Sequence, residues 1–314
     1  MRKKARGFPY VRRELASTLC GKQDGNKRRS FHVGRNRHTC FQWVEMMKRD
    51  SIASLPGERK LMTIPIYEGE VPSLTTEQMI EVDRAMMQDL HIELIQMMEN
   101  AGRNLAHLAR VRFFDGNPGD KHVVVLAGTG GNSGGALVCA RRLHTWGAHV
   151  QIVLTHPPAN FTPVPAHQLD IVQRLNVPVT GADALAQMHS PELIVDGLIG
   201  YRLQGVPHGT VADLIRWANA QAAPILALDV PSGVDGTTGT VLDPAIKATA
   251  TMTLALPKAG LRTLEARAQV GELYLADIGV PPALYAEPDL SLRVGTLFAE
   301  SEILRLDLPH NELR

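Results

Sequence analysis

Residues 121–146, KHVVVLAGTGGNSGGALVCARRLHTW, constrain the fold more than any other stretch of the chain. The run VVVL at 123–126 is typical of a strand that is buried on both faces of a parallel sheet. Five glycines follow within residues 128–135, and then alanine and leucine recur at helical spacing. A strand, a glycine-rich turn and a helix in this order present backbone N–H groups and a positive helix end to an anion. This pattern favours a ligand-binding loop over a tight turn without a ligand.

Strand-like and helical segments alternate along the rest of the chain. The predicted strands are residues 149–154, 177–180, 192–199, 224–230, 248–256 and 272–276. The first predicted helix begins after a capping hydroxyl, Ser73 or Thr75. The other predicted helices are residues 93–111, 167–175 and 211–219, and a closing helix over 294–304. The alternation predicts an α/β fold: a mostly parallel, doubly wound sheet with helices on both faces.

Charge divides the chain into two regions. Residues 1–60 hold 16 Lys and Arg against 5 Asp and Glu, whereas the rest of the chain is acidic. The composition of residues 1–62 predicts a disordered basic arm, or upstream sequence that is translated from an early start, with a targeting or nucleic-acid-binding arm as the alternative. Residues 63–314 are predicted to form the folded domain. Its acidity argues against nucleic acid as its partner.

Cysteine content and hydropathy indicate the compartment. The three cysteines, Cys20, Cys40 and Cys139, are an odd number without metal-binding spacing, which suits a reducing compartment such as the cytoplasm. No stretch approaches the roughly 18–20 apolar residues of a membrane span, and we expect no membrane partner. We therefore expect a cytoplasmic protein.

The glycine loop departs from the common nucleotide-binding patterns. A dinucleotide-binding fingerprint requires glycine where this chain has Ser133, and it requires an acidic residue after the second strand, where the chain reads QIVLTHPP. No Lys-Ser/Thr pair closes the loop as in a Walker motif. Val230 stands where a nucleophile elbow needs glycine, so Ser232 does not indicate a serine hydrolase.

Polar residues follow three of the predicted strands. Asn132 and Ser133 follow the first, Asp196 the second, and Asp229 with Ser232 the third. Ligands in open α/β sheets bind beyond the carboxyl ends of the strands. A carboxylate at the end of a buried strand is costly to desolvate unless it is paired or bound to a cation, although capping of the next helix is the alternative role for each residue alone.

Several ordered motifs lie between about Leu74 and Pro281 and read LTTEQMIEVDR, MMENAG, AGTGGNSGGALVCARRL, IVDGLIG, LDVPSGVDGTTG, LPKAGL and GELYLADIGVP. Together these motifs resemble one known family, the N-terminal domain of YjeF-type proteins, or NAD(P)H-hydrate epimerases. The resemblance implies a three-layer αβα Rossmann-like sandwich, commonly a homodimer. It also implies interconversion of the R and S epimers of hydrated NADH or NADPH.

The resemblance also implies the site residues. The family's potassium (K+) ligands fall on Asn132, Asp196 and Ser232, and its ligand-binding aspartate, the expected acid–base group, falls on Asp229. Two ligand-binding loops complete the expected site. The glycine-rich loop comprises Gly131, Asn132, Ser133, Gly134 and Gly135, and the phosphate loop comprises Gly200, Tyr201, Arg202, Leu203, Gln204, Gly205 and Val206.

The chain departs from the family pattern in both loops. The family usually reads Asn-Asn-Gly-Gly-Asp-Gly at 131–136, where this chain has Gly-Asn-Ser-Gly-Gly-Ala. Tyr201 and Arg202 replace a small residue and a glycine. The alternative interpretation is therefore a non-catalytic relative that keeps the fold for binding or dimerisation, as in a domain of mRNA-decapping scaffolds. A Rossmann-type oxidoreductase or another nucleotide-binding enzyme also stays open.

Overall fold

The computed structural model describes residues 63–307, so the prediction of a basic arm over residues 1–62 lies outside the described residues. Within 63–307, nine strands form one sheet. The strands are β1 Ile66–Tyr67, β2 His122–Ala127, β3 His149–Leu154, β4 Val179–Gly181, β5 Leu193–Gly197, β6 Ile225–Leu228, β7 Ala250–Leu254, β8 Glu272–Ala276 and β9 Ile303–Leu306.

The sheet is doubly wound about its centre. The spatial order is β1–β9–β8–β7–β6–β5–β2–β3–β4, and every neighbouring pair is parallel except β8–β9. β2 lies between β5 and β3, with Leu126 opposite both Asp196 and Val153. The strand order therefore reverses at β2, and a crevice forms beyond the carboxyl ends of the strands at such a point.

Helices cover both faces of the sheet. They are α1 Thr76–Arg84, α2 Leu94–Phe113, α3 Gly131–Thr145, α4 Pro163–Arg174, α5 Gly209–Ala220, α6 Arg267–Val270 and α7 Pro282–Tyr285. Alternate residues of β2 enter two separate clusters of buried side chains: Val123 and Val125 pack with α2, α3 and α4, whereas Val124 and Leu126 pack with α5. Because side chains alternate across a strand, this division defines three layers and confirms the predicted fold class.

The capping signal before α1 is confirmed. The hydroxyl of Thr75 accepts the backbone N–H of Gln78 at 3.2 Å, and the Gln78 side chain accepts the backbone N–H of Thr75 at 2.9 Å. This capping box satisfies two of the N–H groups that a helix start leaves unpaired. α1 continues into a π-helical turn, Ala85–Asp89.

The predicted closing helix over residues 294–304 is wrong. Residues 294–302 contain no helix, and Ile303–Leu306 form β9, which pairs antiparallel with β8. A short apolar run does not distinguish a helix from a strand, and here the free edge of β8 supplies the hydrogen-bonding partners. No helix among the described residues combines the length and the apolar character needed to cross a membrane.

Candidate active site

Three loops meet at the carboxyl ends of β2, β5 and β6. Because these strands are parallel neighbours, the residues that follow them lie at one edge of the sheet. They surround a cavity of about 540 Å³, a volume within the usual range of small-molecule sites. Six of the predicted site residues border this cavity. They are Gly131, Asn132, Gly200, Tyr201, Arg202 and Asp229.

Asp229 occupies the tip of β6 and is only 3% exposed. Its φ of 69° lies in the left-handed region, which aspartate tolerates better than most residues. Oδ2 accepts the backbone N–H of Tyr201 at 3.2 Å, and Oδ1 accepts the backbone N–H of Leu254 at 3.3 Å and the ammonium group of Lys258. Its carboxylate is therefore held in one orientation at the cavity wall.

Lys258 is a site residue that sequence reasoning did not assign. It is fully buried and borders the cavity, where Nζ donates to Oδ1 of Asp229 and to the backbone carbonyl of Leu254 at 2.9 Å. A lysine is almost never fully buried unless it is paired. The motif LPKAGL was visible in the sequence, but its spacing did not reveal that its lysine reaches the end of β6.

Asp196 and Ser232 form a second buried group behind the cavity. The Ser232 hydroxyl lies 2.7 Å from Oδ1 of Asp196, and the Ser232 backbone N–H donates to Oδ2 at 2.8 Å. Oδ1 also accepts the backbone N–H of Leu198 at 3.1 Å. Burial raises the pKa of Asp196 to about 6, although these hydrogen bonds oppose the shift. None of the ion pairs found within residues 63–307 involves this carboxylate.

Asn132, at the start of α3, lies against the loop that follows β5. A Cβ at Gly200 would lie 3.1 Å from Cγ of Asn132, so the two segments are in close contact. Nδ2 of Asn132 is buried without a hydrogen-bond partner among the described residues. Rotation of the amide by 180° would place its oxygen at that position, where a cation would satisfy it. An amide oxygen, a hydroxyl and an otherwise uncompensated carboxylate are a donor set that fits a hard cation such as K+.

The glycine-rich loop divides between the cavity and the core. Gly131 lies at the N-terminus of α3, whereas Ser133, Gly134 and Gly135 are buried in its first turns. A Cβ at Gly135 would meet Leu228 at 2.9 Å and Ala101 at 3.5 Å, and a Cβ at Gly102 would lie 2.3 Å from the carbonyl oxygen of Gly135. Gly135 therefore packs against β6 and α2. Position 102 on α2 requires glycine, because a side chain there would collide with the carbonyl oxygen of Gly135.

The loop after β5 contributes only its first part to the cavity. Gly200, Tyr201 and Arg202 border it, while Leu203, Gln204, Gly205 and Val206 are not among its lining residues. Val206 is an exposed apolar side chain, and Gly205 turns the chain with a φ of 69°.

Asp83 is the second residue that sequence reasoning missed. It projects from α1 to the cavity, where the hydroxyl of Tyr201 donates to its Oδ2 at 2.5 Å. Nε of Arg202 donates to the same hydroxyl at 2.8 Å, and its Nη2 lies 3.4 Å from Oδ2 of Asp83. Burial raises the pKa of Asp83, and the Tyr201 and Arg202 contacts oppose that shift.

Comparison with known proteins identifies the family. The sequence profile described as YjeF-related protein N-terminus matches residues 94–260, slightly more than half of the chain. The chain belongs to the family of YjeF-related proteins. The matched region contains Asn132, Asp196, Asp229, Ser232 and Lys258.

Curated YjeF relatives are similar over most of the described domain. An NAD(P)H-hydrate epimerase from Dehalogenimonas lykanthroporepellens is 40% identical over 229 residues, which are 71% of this chain and 89% of the relative. One from Rhodopirellula baltica is 31% identical, over 75% of this chain and 96% of the relative. A bifunctional NAD(P)H-hydrate repair enzyme from Salinibacter ruber is 36% identical over 67% of this chain, but only 41% of that longer protein is matched.

A solved structure supports the YjeF fold. The crystal structure of the yeast protein ynu0 superposes with a TM-score of 0.64 and 23% sequence identity. The match covers 75% of this chain and 100% of the yeast chain. At this identity the similarity establishes the fold alone.

Proposed function

We propose that this protein is an NAD(P)H-hydrate epimerase that interconverts the R and S forms of hydrated NADH or NADPH. The carrying observation is the position of Asp229, whose carboxylate is paired with buried Lys258 and faces the cavity at the strand ends. Epimerisation at the hydrated ring carbon requires reversible proton transfer with loss and return of hydroxide. Asp229 is the proposed acid–base group for that transfer.

The two loops are the proposed binding elements for the rest of the nucleotide. Gly131 and Asn132 begin α3 at the cavity, where backbone N–H groups and the helix dipole favour a diphosphate. Arg202 at the rim is the proposed phosphate contact within the loop from Gly200 to Val206. The remaining residues of the glycine-rich loop, Ser133 to Gly135, would support this helix start from within the core.

Potassium is the proposed cofactor, with Asn132, Asp196 and Ser232 as its ligands. The buried Asp196 carboxylate and the unpartnered Asn132 amide support this assignment. A monovalent cation here would offset the charge of Asp196 and fix the loop that carries Tyr201. The ion would act on loop geometry, and the proton transfer would be carried out by protein side chains.

The same proposal includes a folded domain of residues 63–314, a homodimeric state and a cytoplasmic location. The family resemblance supports the homodimer, and the odd number of cysteines supports the location. The proposed partner is the hydrated nucleotide, without nucleic acid or membrane.

The direct test is an epimerisation assay. One purified epimer of hydrated NADH is incubated with full-length protein in KCl, and the appearance of the other epimer is followed by chromatography. We expect a rate well above the uncatalysed exchange, and a loss of about 10²–10⁴-fold in Asp229→Asn. Asp170→Asn, which removes a carboxylate from an exposed ion pair with Arg174, is the matched control.

An inactive wild-type protein that still binds nucleotide would favour the non-catalytic alternative. The departures from the family pattern at Gly135 and Arg202 are what favour that alternative. A Cβ at Gly135 would point at Leu228 and Ala101 in the core. A side chain at this position would therefore not enter the cavity in this structure, and its absence leaves the cavity lining unchanged. Arg202 is 58% exposed at the rim, and its guanidinium is engaged by Tyr201 and Asp83.

A further inference from the structure

A second carboxylate faces the cavity at the far end of Tyr201. The backbone N–H of Tyr201 donates to Oδ2 of Asp229 at 3.2 Å, and its hydroxyl donates to Oδ2 of Asp83 at 2.5 Å. One tyrosine residue therefore spans the two carboxylates, and all three residues border the same cavity. The two carboxylates come from different elements, α1 and the tip of β6.

The two carboxylates have different surroundings. Asp229 is in contact with the ammonium group of Lys258. The side chain of Asp83 is 13% exposed, and burial raises its pKa. The charge of Asp229 raises this pKa further. The Tyr201 hydrogen bond and the charges of Arg202 and Lys258 lower it. His156 is a further titratable group on the cavity wall. Pairs of acids in such unlike surroundings commonly divide the roles of acid and base.

We propose that Asp83 is a second acid–base group of the epimerisation, which acts on one face of the hydrated ring while Asp229 acts on the other. This inference rests on the proposed epimerase function. Tyr201 is a positioning residue in this arrangement, since its hydroxyl engages Oδ2 of Asp83. The proton for transfer is then carried on Oδ1.

The proposed step balances with water as its only co-reactant. Asp83 donates its proton to the hydroxyl on the ring carbon, the C–O bond breaks with its electron pair, and water leaves. The lone pair of the ring nitrogen forms a C=N⁺ bond to that carbon. A second water adds to the other face, its proton passes to Asp229, and the C=N⁺ electron pair returns to nitrogen. The product has the inverted configuration, and the exchanged protonation states suit the reverse reaction.

The test compares the pH dependence of kcat/KM in full-length variants, starting from one pure epimer in KCl. The wild-type value should rise and then fall with pH, because the base must be ionised and the acid protonated. In Asp83→Asn, kcat/KM should be about 10²–10⁴-fold lower than in the wild type, and it should no longer fall at high pH. Tyr201→Phe should move the falling limb to higher pH, because its hydrogen bond lowers the pKa of Asp83.

Two further measurements separate chemistry from structure. Glu81→Gln makes the same carboxylate-to-amide change on α1 within a surface ion pair with Arg84, and it should leave the profile unchanged. In H₂¹⁸O, wild-type turnover should place one ¹⁸O in the hydroxyl of each inverted product. Inversion without label would overturn the two-face mechanism.

Failure of this inference is distinguishable from failure of the proposed function. If Asp229→Asn is inactive but Asp83→Asn retains the wild-type rate and falling limb, this inference is overturned and the epimerase proposal stands. If Asp83→Asn does not fold, an unchanged falling limb in Tyr201→Phe overturns it. An inactive wild-type protein overturns both.

Discussion

Lys258 places its ammonium group against Oδ1 of Asp229, and both side chains are almost completely removed from solvent. The pair joins the tip of β6 to the loop that follows β7, and a second bond from Lys258 to the carbonyl of Leu254 fixes the ammonium group. Two charges at such depth are compensated by one another, so loss of either one affects the stability of the domain as well as its chemistry.

Lys258→Met should lower the free energy of unfolding by about 3–5 kcal/mol, because it leaves the Asp229 carboxylate buried without its cation. Urea unfolding at pH 7 measures the change. Lys121→Met, which removes an exposed lysine paired with Glu192, should cost no more than about 1 kcal/mol. The double variant Asp229→Asn with Lys258→Met should recover part of the loss. A small effect of Lys258→Met alone would contradict the interpretation of the pair.

Potassium should raise the Tm of the protein relative to tetramethylammonium at equal ionic strength. A cation that binds only the folded state, present at a concentration 100 times its Kd, adds about 2.7 kcal/mol to the free energy of unfolding. Differential scanning calorimetry measures the difference. It should vanish in Asp196→Asn and persist in Asp170→Asn, whose carboxylate lies in an exposed pair. Equal Tm values of the wild type in the two salts would argue against the proposed cation site.

Arg202→Ala should raise KM for the hydrated nucleotide by about tenfold, with kcat nearly unchanged at a pH below the falling limb. Loss of a charge-assisted hydrogen bond to phosphate removes binding that ground and transition states share. Initial rates over a range of substrate concentrations separate the two constants. A lower KM in the variant would instead mean that the guanidinium obstructs the cavity rim. Arg216→Ala, which removes an exposed guanidinium on α5, is the control.

Glu272 should make stability dependent on pH below about 4.5. Arg112 donates two hydrogen bonds of 2.8 Å to it, and chiefly these contacts lower its pKa to about 2. Since the pKa is depressed on folding, its stabilisation is present above pH 4.5 and is lost as pH falls through about 2. Glu272→Gln should cost about 1–2 kcal/mol at pH 7, a value reduced because Arg112 is 39% exposed.

Denaturant unfolding of wild type and Glu272→Gln at pH 7 and at pH 2 tests this dependence. The difference between the two proteins should shrink towards zero at pH 2. An equal difference at both pH values would mean that Glu272 acts through packing rather than charge. Glu300→Gln, at an exposed position, should show no pH-dependent difference.

Much of the fold was predictable because it depends on local patterns. Buried parallel strands need apolar runs on both faces, and the glycines and capping groups mark where helices begin; Thr75 and Gln78 do so before α1. β9 was not predictable in this way. Ile303 and Leu306 are equally compatible with a helix, and the unpaired edge of β8 decided their conformation.

The candidate site was predictable only in part. Asn132, Asp196, Asp229 and Ser232 were visible as polar residues that follow apolar strands or lie in the loops beyond them. Lys258 and Asp83 were not visible, because a lysine in a loop and an aspartate in an amphipathic helix are ordinarily solvated. Gly135 is predicted to contact the ligand from its place in a glycine-rich loop, and in the structure it lies one helical turn into α3, against Leu228 and Ala101.

By itself, the sequence determined the layered α/β fold, the family and the strand ends at which a site would form. These properties follow from hydrophobic periodicity and backbone conformational limits, which act over a few residues. Only the tertiary structure decided which charged groups share the cavity. Asp83, Tyr201, Asp229 and Lys258 are far apart along the chain, and only the packing of α1 and the loops against the sheet brings them together.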